Sequence, residues 1–166
     1  MPIPALLPSG ILPAGIHECD LEEIERDWTY NERRREIWRG FQAVKERLLS
    51  IPEIEVIYID GSFTSDKENP RDVDVAVEFF NAQSYFNISG RHKEILLERD
   101  RIKREYLVDL WHGFKNYTND MADKNAIEVF QKVEERDARK RKLSFRTRKG
   151  ILKVVLRDVR PGTTNE

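Results

Sequence analysis

The stretch from Asp60 to Phe79, DGSFTSDKENPRDVDVAVEF, holds the residues whose types and spacing could do chemistry. Its second half alternates as a β-strand does, placing Asp72, Asp74, Ala76 and Glu78 on one face and Val73, Val75, Val77 and Phe79 on the other. The valine face is a core face. Two aspartates two residues apart on one strand repel each other. A hard cation bridging them removes that penalty, and oxygen ligands with open positions suit Mg²⁺. Ahead of them, Gly61 ends a strand, and its missing side chain lets the backbone approach a phosphate closely. Ser62 offers a hydroxyl and an amide to the same anion.

A third carboxylate from another strand would complete a two-metal site. Asp109 is the best candidate: in EYLVDLW it alternates with Val108 and Leu110, which face the core. Two divalent ions held by such a triad, about 4 Å apart, activate an attacking hydroxyl and stabilise the leaving oxygen.

These residues need elements to position them. Asp20, with Glu23 three residues on, reads as a capping box opening a short helix. Asn31 to Ser50 carries Ile37, Trp38, Phe41, Val44, Leu48 and Leu49 at helical spacing, with Arg33, Arg34, Arg35 and Arg39 near its start. Arginines in a first turn oppose the helix dipole and hint at a compensating anion, although solvated arginines explain them more simply. Glu55–Asp60, Asp72–Phe79 and Glu105–Trp111 read as strands, Lys93–Arg104 and Asn125–Arg139 as helices. Lys142–Arg148 and Ile151–Arg157 read as two strands of a hairpin turning at Lys149-Gly150. The expected architecture is a single-domain α+β fold, a small mixed β-sheet flanked by helices mainly on one face. Four of the seven prolines fall in the first thirteen residues, so residues 1–19 are expected to form an extended arm. The domain then spans 20–160, and 161–166 form a flexible tail.

Composition bounds the possibilities. Of 166 residues 36% are charged and 39% apolar, as in a soluble globular chain that can still bury a core. No apolar run approaches the roughly 20 residues of a membrane span. The opening MPIPALLPSGILPAGI lacks a basic start and is interrupted by proline, so it is not expected to be a signal peptide. The single cysteine, Cys19, excludes an internal disulfide framework and suggests a reducing, cytoplasmic setting. The net charge of −1 hides an asymmetry. Residues 131–160 carry twelve Lys/Arg against four Asp/Glu, a balance of +8 against −9 for the rest. Such separation points to an anionic partner. As a strand, Lys142–Arg148 would present Lys142, Ser144, Arg146 and Arg148 on one face, suited to a phosphate backbone. The same lysines and arginines could simply blunt a sheet edge. Zinc at His17-Glu18-Cys19 fails for want of a second ligand pair. His112, close to Asp109, reads as a capping or solvated group rather than one that orients substrate. Ser62 lies in GSF and not in a nucleophile elbow, which excludes a serine hydrolase.

Gly61-Ser62, nine intervening residues, and then Asp72-Val73-Asp74-Val75 resembles the signature of the DNA polymerase beta-like nucleotidyltransferase superfamily. More closely, the chain resembles small bacterial and phage nucleotidyltransferase-like proteins of uncharacterised function. The shared features are the leader Leu12–Glu25, the core Asp60–Asp74 and the Lys-Gly-Ile motif Lys149–Ile151. The resemblance implies two Mg²⁺ ions on Asp72, Asp74 and Asp109. It also implies an NTP substrate whose terminal phosphates are held by Gly61 and Ser62, with Lys67 as a further contact. The implied activity is transfer of an NMP to a hydroxyl on RNA, a protein or a small molecule. The alternatives are a catalytically silent module bound to a cognate partner in a toxin–antitoxin or phage-defence system, or an RNA-binding adaptor. Asp60 departs from the superfamily, which usually has an apolar residue before the Gly-Ser turn.

Overall fold

The computed structural model describes residues 2–52, 54–79, 90–116 and 125–157. Its centre is a five-stranded mixed sheet in the order β1-β5-β2-β3-β4. The strands are β1 (Gly15–Glu18), β2 (Val56–Asp60), β3 (Val73–Phe79), β4 (Val108–Phe114) and β5 (Gly150–Val155). β1 runs parallel to β5 and β3 parallel to β4, while β2 is antiparallel to both its neighbours.

The expected α+β class holds, and the local signals explain most of it. Asp20 and Glu23 exchange backbone-to-carboxylate hydrogen bonds of 2.8 and 2.9 Å and open α1 (Leu21–Trp28). The Asn31 side chain accepts from the Arg34 amide and starts α2 (Glu32–Leu49). The apolar stripe of α2, Ile37, Trp38, Phe41, Val44 and Leu48, is buried against one sheet face. That face is built from Ile57, Ile59, Val73, Val75, Val77, Leu110 and Leu152, as strand alternation requires. A smaller apolar cluster lies on the opposite face. There α5 (Ala126–Phe130) covers Tyr58, Ala76 and Ile151, with Trp111 at the margin. Buried Asn125 seats that helix, since its side-chain oxygen accepts from the Phe114 and Ile127 amides and its nitrogen donates to Phe114 O.

Five expectations are revised. The Lys93–Arg104 helix is two, α3 (Gly90–Leu97) and α4 (Arg99–Tyr106), in line through Glu98. Residues Glu105 and Tyr106 complete α4, Leu107 turns the chain in the left-handed region, and β4 begins only at Val108. The 125–139 helix splits into α5 and α6 (Glu135–Lys140), because residues 131–133 spend their backbone bonds on 147–149. The hairpin does not form. Both edges of β5 are already taken by β1 and β2, so 142–148 folds as turns, with Lys142 at φ 57° and Leu143 N bonded to Ala138 O. The proline-rich segment is more than an arm: Ile11 and Leu12 are buried, and β1 joins the sheet. The expected tail, 161–166, lies outside the described residues. No helix among the described residues is long and apolar enough to cross a membrane.

Candidate functional site

The face of the sheet that α5 only partly covers carries the carboxylates. Asp60 on β2 pairs in register with Asp74 on β3, and Asp74 with Asp109 on β4. Partners in register share a face, so three aspartates form one row across three strands. Asp72, two residues before Asp74, adds a fourth at the mouth of β3.

Gly61 makes the close packing of this row possible. It sits at φ 87°, and a Cβ there would lie 2.5 Å from Asp74 Oδ2. Only glycine tolerates both the conformation and the contact. The chain then makes a single 3₁₀ turn at Ser62–Thr64, tied by Thr64 Oγ1 to Gly61 O at 3.2 Å and Ser65 Oγ to Ser62 O at 2.8 Å. From beneath, Arg34 holds this loop. It is 0% exposed and donates to the carbonyls of Phe63, Ser65 and Lys67, as well as Trp28. Arg33 donates to Pro70 O and Arg71 O at 3.0 and 2.7 Å, which fixes the far end of the loop. Arg35 and Arg39 pair with Glu32. The arginine cluster therefore braces the loop and its own helix.

A cleft of about 830 Å³ opens beside the row. Asp60, Gly61, Ser62, Lys67, Asp72 and Asp74 line one side. Trp111 and Phe130 contribute apolar surface, while Lys132, Arg136, Lys140 and Arg141 line the other side. Five of the six anticipated site residues thus share one cavity. Asp109 does not line it. This 8%-exposed carboxylate is held by Lys103 Nζ at 3.1 Å and Arg99 Nη2 at 3.3 Å, both from α4. Lys103 also reaches to 3.9 Å from Asp72. Arg99 in turn lies over the Trp111 ring, 4.8 Å from its centroid.

The charges are unequally satisfied. Asp60 is 3% exposed and has Lys149 Nζ 3.0 Å from Oδ1, an ion pair that lacks hydrogen-bond alignment. Burial raises its pKa, opposed by Lys149. Asp72 is raised too, by burial first, with Lys103 opposing and Asp109 adding to the shift. Asp74 is pushed up to about 7, by burial first and then by the charges of Asp60, Asp72 and Asp109. Among the described residues it has no ion-pair partner.

The donor set fits a divalent cation in part. Asp72 and Asp74 are adjacent hard oxygen donors at the cleft, and the repulsion that drives the Asp74 proton on would equally favour a metal ion. As the side chains stand, no three His, Cys, Asp or Glu groups among the described residues converge to hold one. Lys103 and Arg99 occupy the third carboxylate. Neither of these cations was singled out in the sequence, nor was Lys149 as the partner of Asp60.

The remaining candidates resolve simply. His17 Nε2 lies 2.6 Å from Pro13 O. Cys19 is buried with its thiol pushed up to about 12, by burial first and then by Glu23 and Asp20, which leaves it unreactive. His112 alternates onto the face opposite Asp109, edge-on to Phe114, and burial lowers its pKa.

Residues 4–155 match the Family of unknown function (DUF6932), and the chain belongs to that family. No curated protein and no solved structure is significantly similar to it.

Proposed function

We propose that the chain is a Mg²⁺-dependent nucleotidyltransferase that moves an NMP from an NTP to a hydroxyl. One observation carries this reading: Asp74, flanked in register by Asp60 and Asp109 and preceded by Asp72, faces the cleft beside the Gly61-Ser62 turn with no ion-pair partner among the described residues. Divalent metal bound there would supply Lewis-acid stabilisation of the phosphates and of the attacking oxygen. Asp72 and Asp74 would hold it. Ser62, with the turn's backbone, would orient the terminal phosphates, and Lys67 would add positive charge at the rim. In the reaction the acceptor oxygen bonds to the α-phosphorus, the bond from that phosphorus to the bridging oxygen of the β-phosphate breaks, and pyrophosphate leaves. The acceptor's proton passes to a neighbouring carboxylate or to solvent. A reducing, cytoplasmic setting suits the single buried Cys19.

A second reading is a catalytically silent nucleotidyltransferase-like module that binds a cognate partner in a toxin–antitoxin or phage-defence system. The double ion pair on Asp109 favours it, because a carboxylate neutralised by Arg99 and Lys103 is a poor metal ligand.

The test uses α-labelled NTPs with Mg²⁺ or Mn²⁺, total RNA and cell extract, beside an Asp72→Ala/Asp74→Ala variant. Label transfer by the native chain and not by the variant supports the enzyme. Metal-dependent nucleotide binding without transfer supports the silent module. If no label transfers and neither form binds nucleotide, the enzyme reading is wrong.

A further inference from the structure

Residues 131–149 carry nine Lys/Arg and three Asp/Glu. All but one of the acids are spent within the segment, Glu135 on Arg139 and Asp137 on Arg141, while Arg148 is paired with Glu128. Arg136, Lys140, Lys142 and Arg146 are exposed and make no ion pair among the described residues. Within the same short segment stands Phe145, 71% exposed, with the Arg146 guanidinium 5.8 Å from its ring centroid.

The turns of the segment fix this exposure. Leu143 is pinned by its amide bond to Ala138 O at 2.8 Å and packs on Ile11, Val133 and Ala138. Thr147 N closes a turn on Ser144 O at 2.9 Å, and Lys149 N returns to Gln131 O. The two anchored ends hold residues 144–146 out as a knuckle. A single exposed phenylalanine is ordinary on a protein surface. An exposed ring beside Arg146, in a segment with three further cations that make no ion pair among the described residues, two of them lining the carboxylate cleft, matches a specific ligand chemistry.

We propose that this knuckle docks single-stranded nucleic acid, with a base stacked on Phe145 and phosphates met by Arg136, Lys140, Lys142 and Arg146. Aromatic stacking combined with a basic track is how unpaired strands are held without sequence preference. An acidic polypeptide would satisfy the cations but has no base to lay on the ring. Lys140 and Arg136 also line the cleft, so a strand that engages them would bring its terminal hydroxyl there as the acceptor. That last step alone rests on the proposed nucleotidyl transfer.

Fluorescence anisotropy with a short labelled single-stranded RNA, without NTP or metal, tests the docking on the full chain. The native chain should bind in a salt-sensitive way, and Phe145→Ala should weaken binding roughly 5- to 150-fold. A Lys140→Glu/Lys142→Glu variant should lose affinity and lower the salt slope by about 2. Both changes lie at exposed positions, and a thermal melt checks that the fold is retained. Asp74→Asn should bind RNA as the native chain does, so a failure of transfer and a failure of docking are read separately. Absence of RNA binding, equal binding by Phe145→Ala, or a poly-glutamate peptide that competes as well as RNA would each overturn the proposal.

Discussion

Arg34 offers the sharpest test of how the site is built. Its guanidinium is fully enclosed, with Nη1 donating to Trp28 O and Phe63 O at 3.2 and 2.6 Å and Nη2 to Ser65 O and Lys67 O at 3.0 and 2.6 Å. Its planar centre stacks among Trp28, Tyr30 and Phe63 at 4.6–5.8 Å. Arg34→Met keeps the apolar volume but deprives four carbonyls of their donor. Each buried acceptor left unsatisfied costs about 1–3 kcal/mol. The Lys67 carbonyl borders an exposed loop and can rehydrate, and removing the guanidinium itself relieves a desolvation cost visible in its lowered pKa. A net loss of about 3–5 kcal/mol follows, a large part of the 5–15 kcal/mol that holds a domain of this size. Arg34→Lys retains the charge but not the fork, and one ammonium with three donors cannot serve four carbonyls. It should lose nearly as much. Urea denaturation followed by tryptophan fluorescence reads both variants, with the midpoint falling and the slope unchanged. A loss below about 1 kcal/mol for the methionine variant, or native-like behaviour of the lysine variant, would refute the bracing role.

Gly61→Ala should cost about 1–3 kcal/mol in a thermal or urea melt, since it forces φ 87° and a 2.5 Å contact on Asp74; combining it with Asp74→Ala should recover the steric share but not the backbone share. Asp74 sets a pH dependence. Its folded pKa of about 7 exceeds the ordinary 3.8, so across that window the native state binds a proton that the unfolded chain has released. Stability therefore falls as pH rises between about 4 and 7, and Asp74→Asn should flatten that part of a melting-temperature profile. A profile unchanged by the substitution counts against the placement of Asp74. Lys103→Met removes the cation between Asp72 and Asp109 and should strengthen Mn²⁺ binding roughly thirtyfold by calorimetry, the equivalent of the about 2 kcal/mol by which one unit charge repels a divalent ion at about 4 Å in a water-like medium. Equal or weaker binding shows that Lys103 does not compete with metal.

Local patterns announced much of this fold because local chemistry dictates it. The Asp20–Glu23 box, the α2 stripe and the alternation of DVDVAVEF each act within a few residues. The alternation also put Asp109 on the polar face of its strand, and the pairing of β4 with β3 then sets it beside Asp74. Partners distant in sequence were not legible. The 142–148 run alternates like a strand, but alternation says nothing about whether a sheet edge is vacant, and β1 had already taken the place beside β5. Lys103 and Arg99 meet Asp109 only because Leu107 folds α4 back along β4. Arg34 was readable and was passed over. It lies three, four and seven residues before Ile37, Trp38 and Phe41, which places it on the buried stripe and apart from Arg35 and Arg39.

The acidic row makes least sense as a device for stability. The opposite face of the same strands, built from valine, isoleucine, leucine and phenylalanine, supplies the core, and nothing packed there requires an acid at position 74. Burying Asp74 between Asp60 and Asp109 raises its proton affinity, by burial first and then by their charges, and commits position 61 to glycine. Lys149 neutralises one flank of the row, and Lys103 with Arg99 the other. The central carboxylate, the one that opens on the cleft, makes no ion pair among the described residues. A bare middle acid between two neutralised neighbours suits the proposed divalent ion, which would bring positive charge to it.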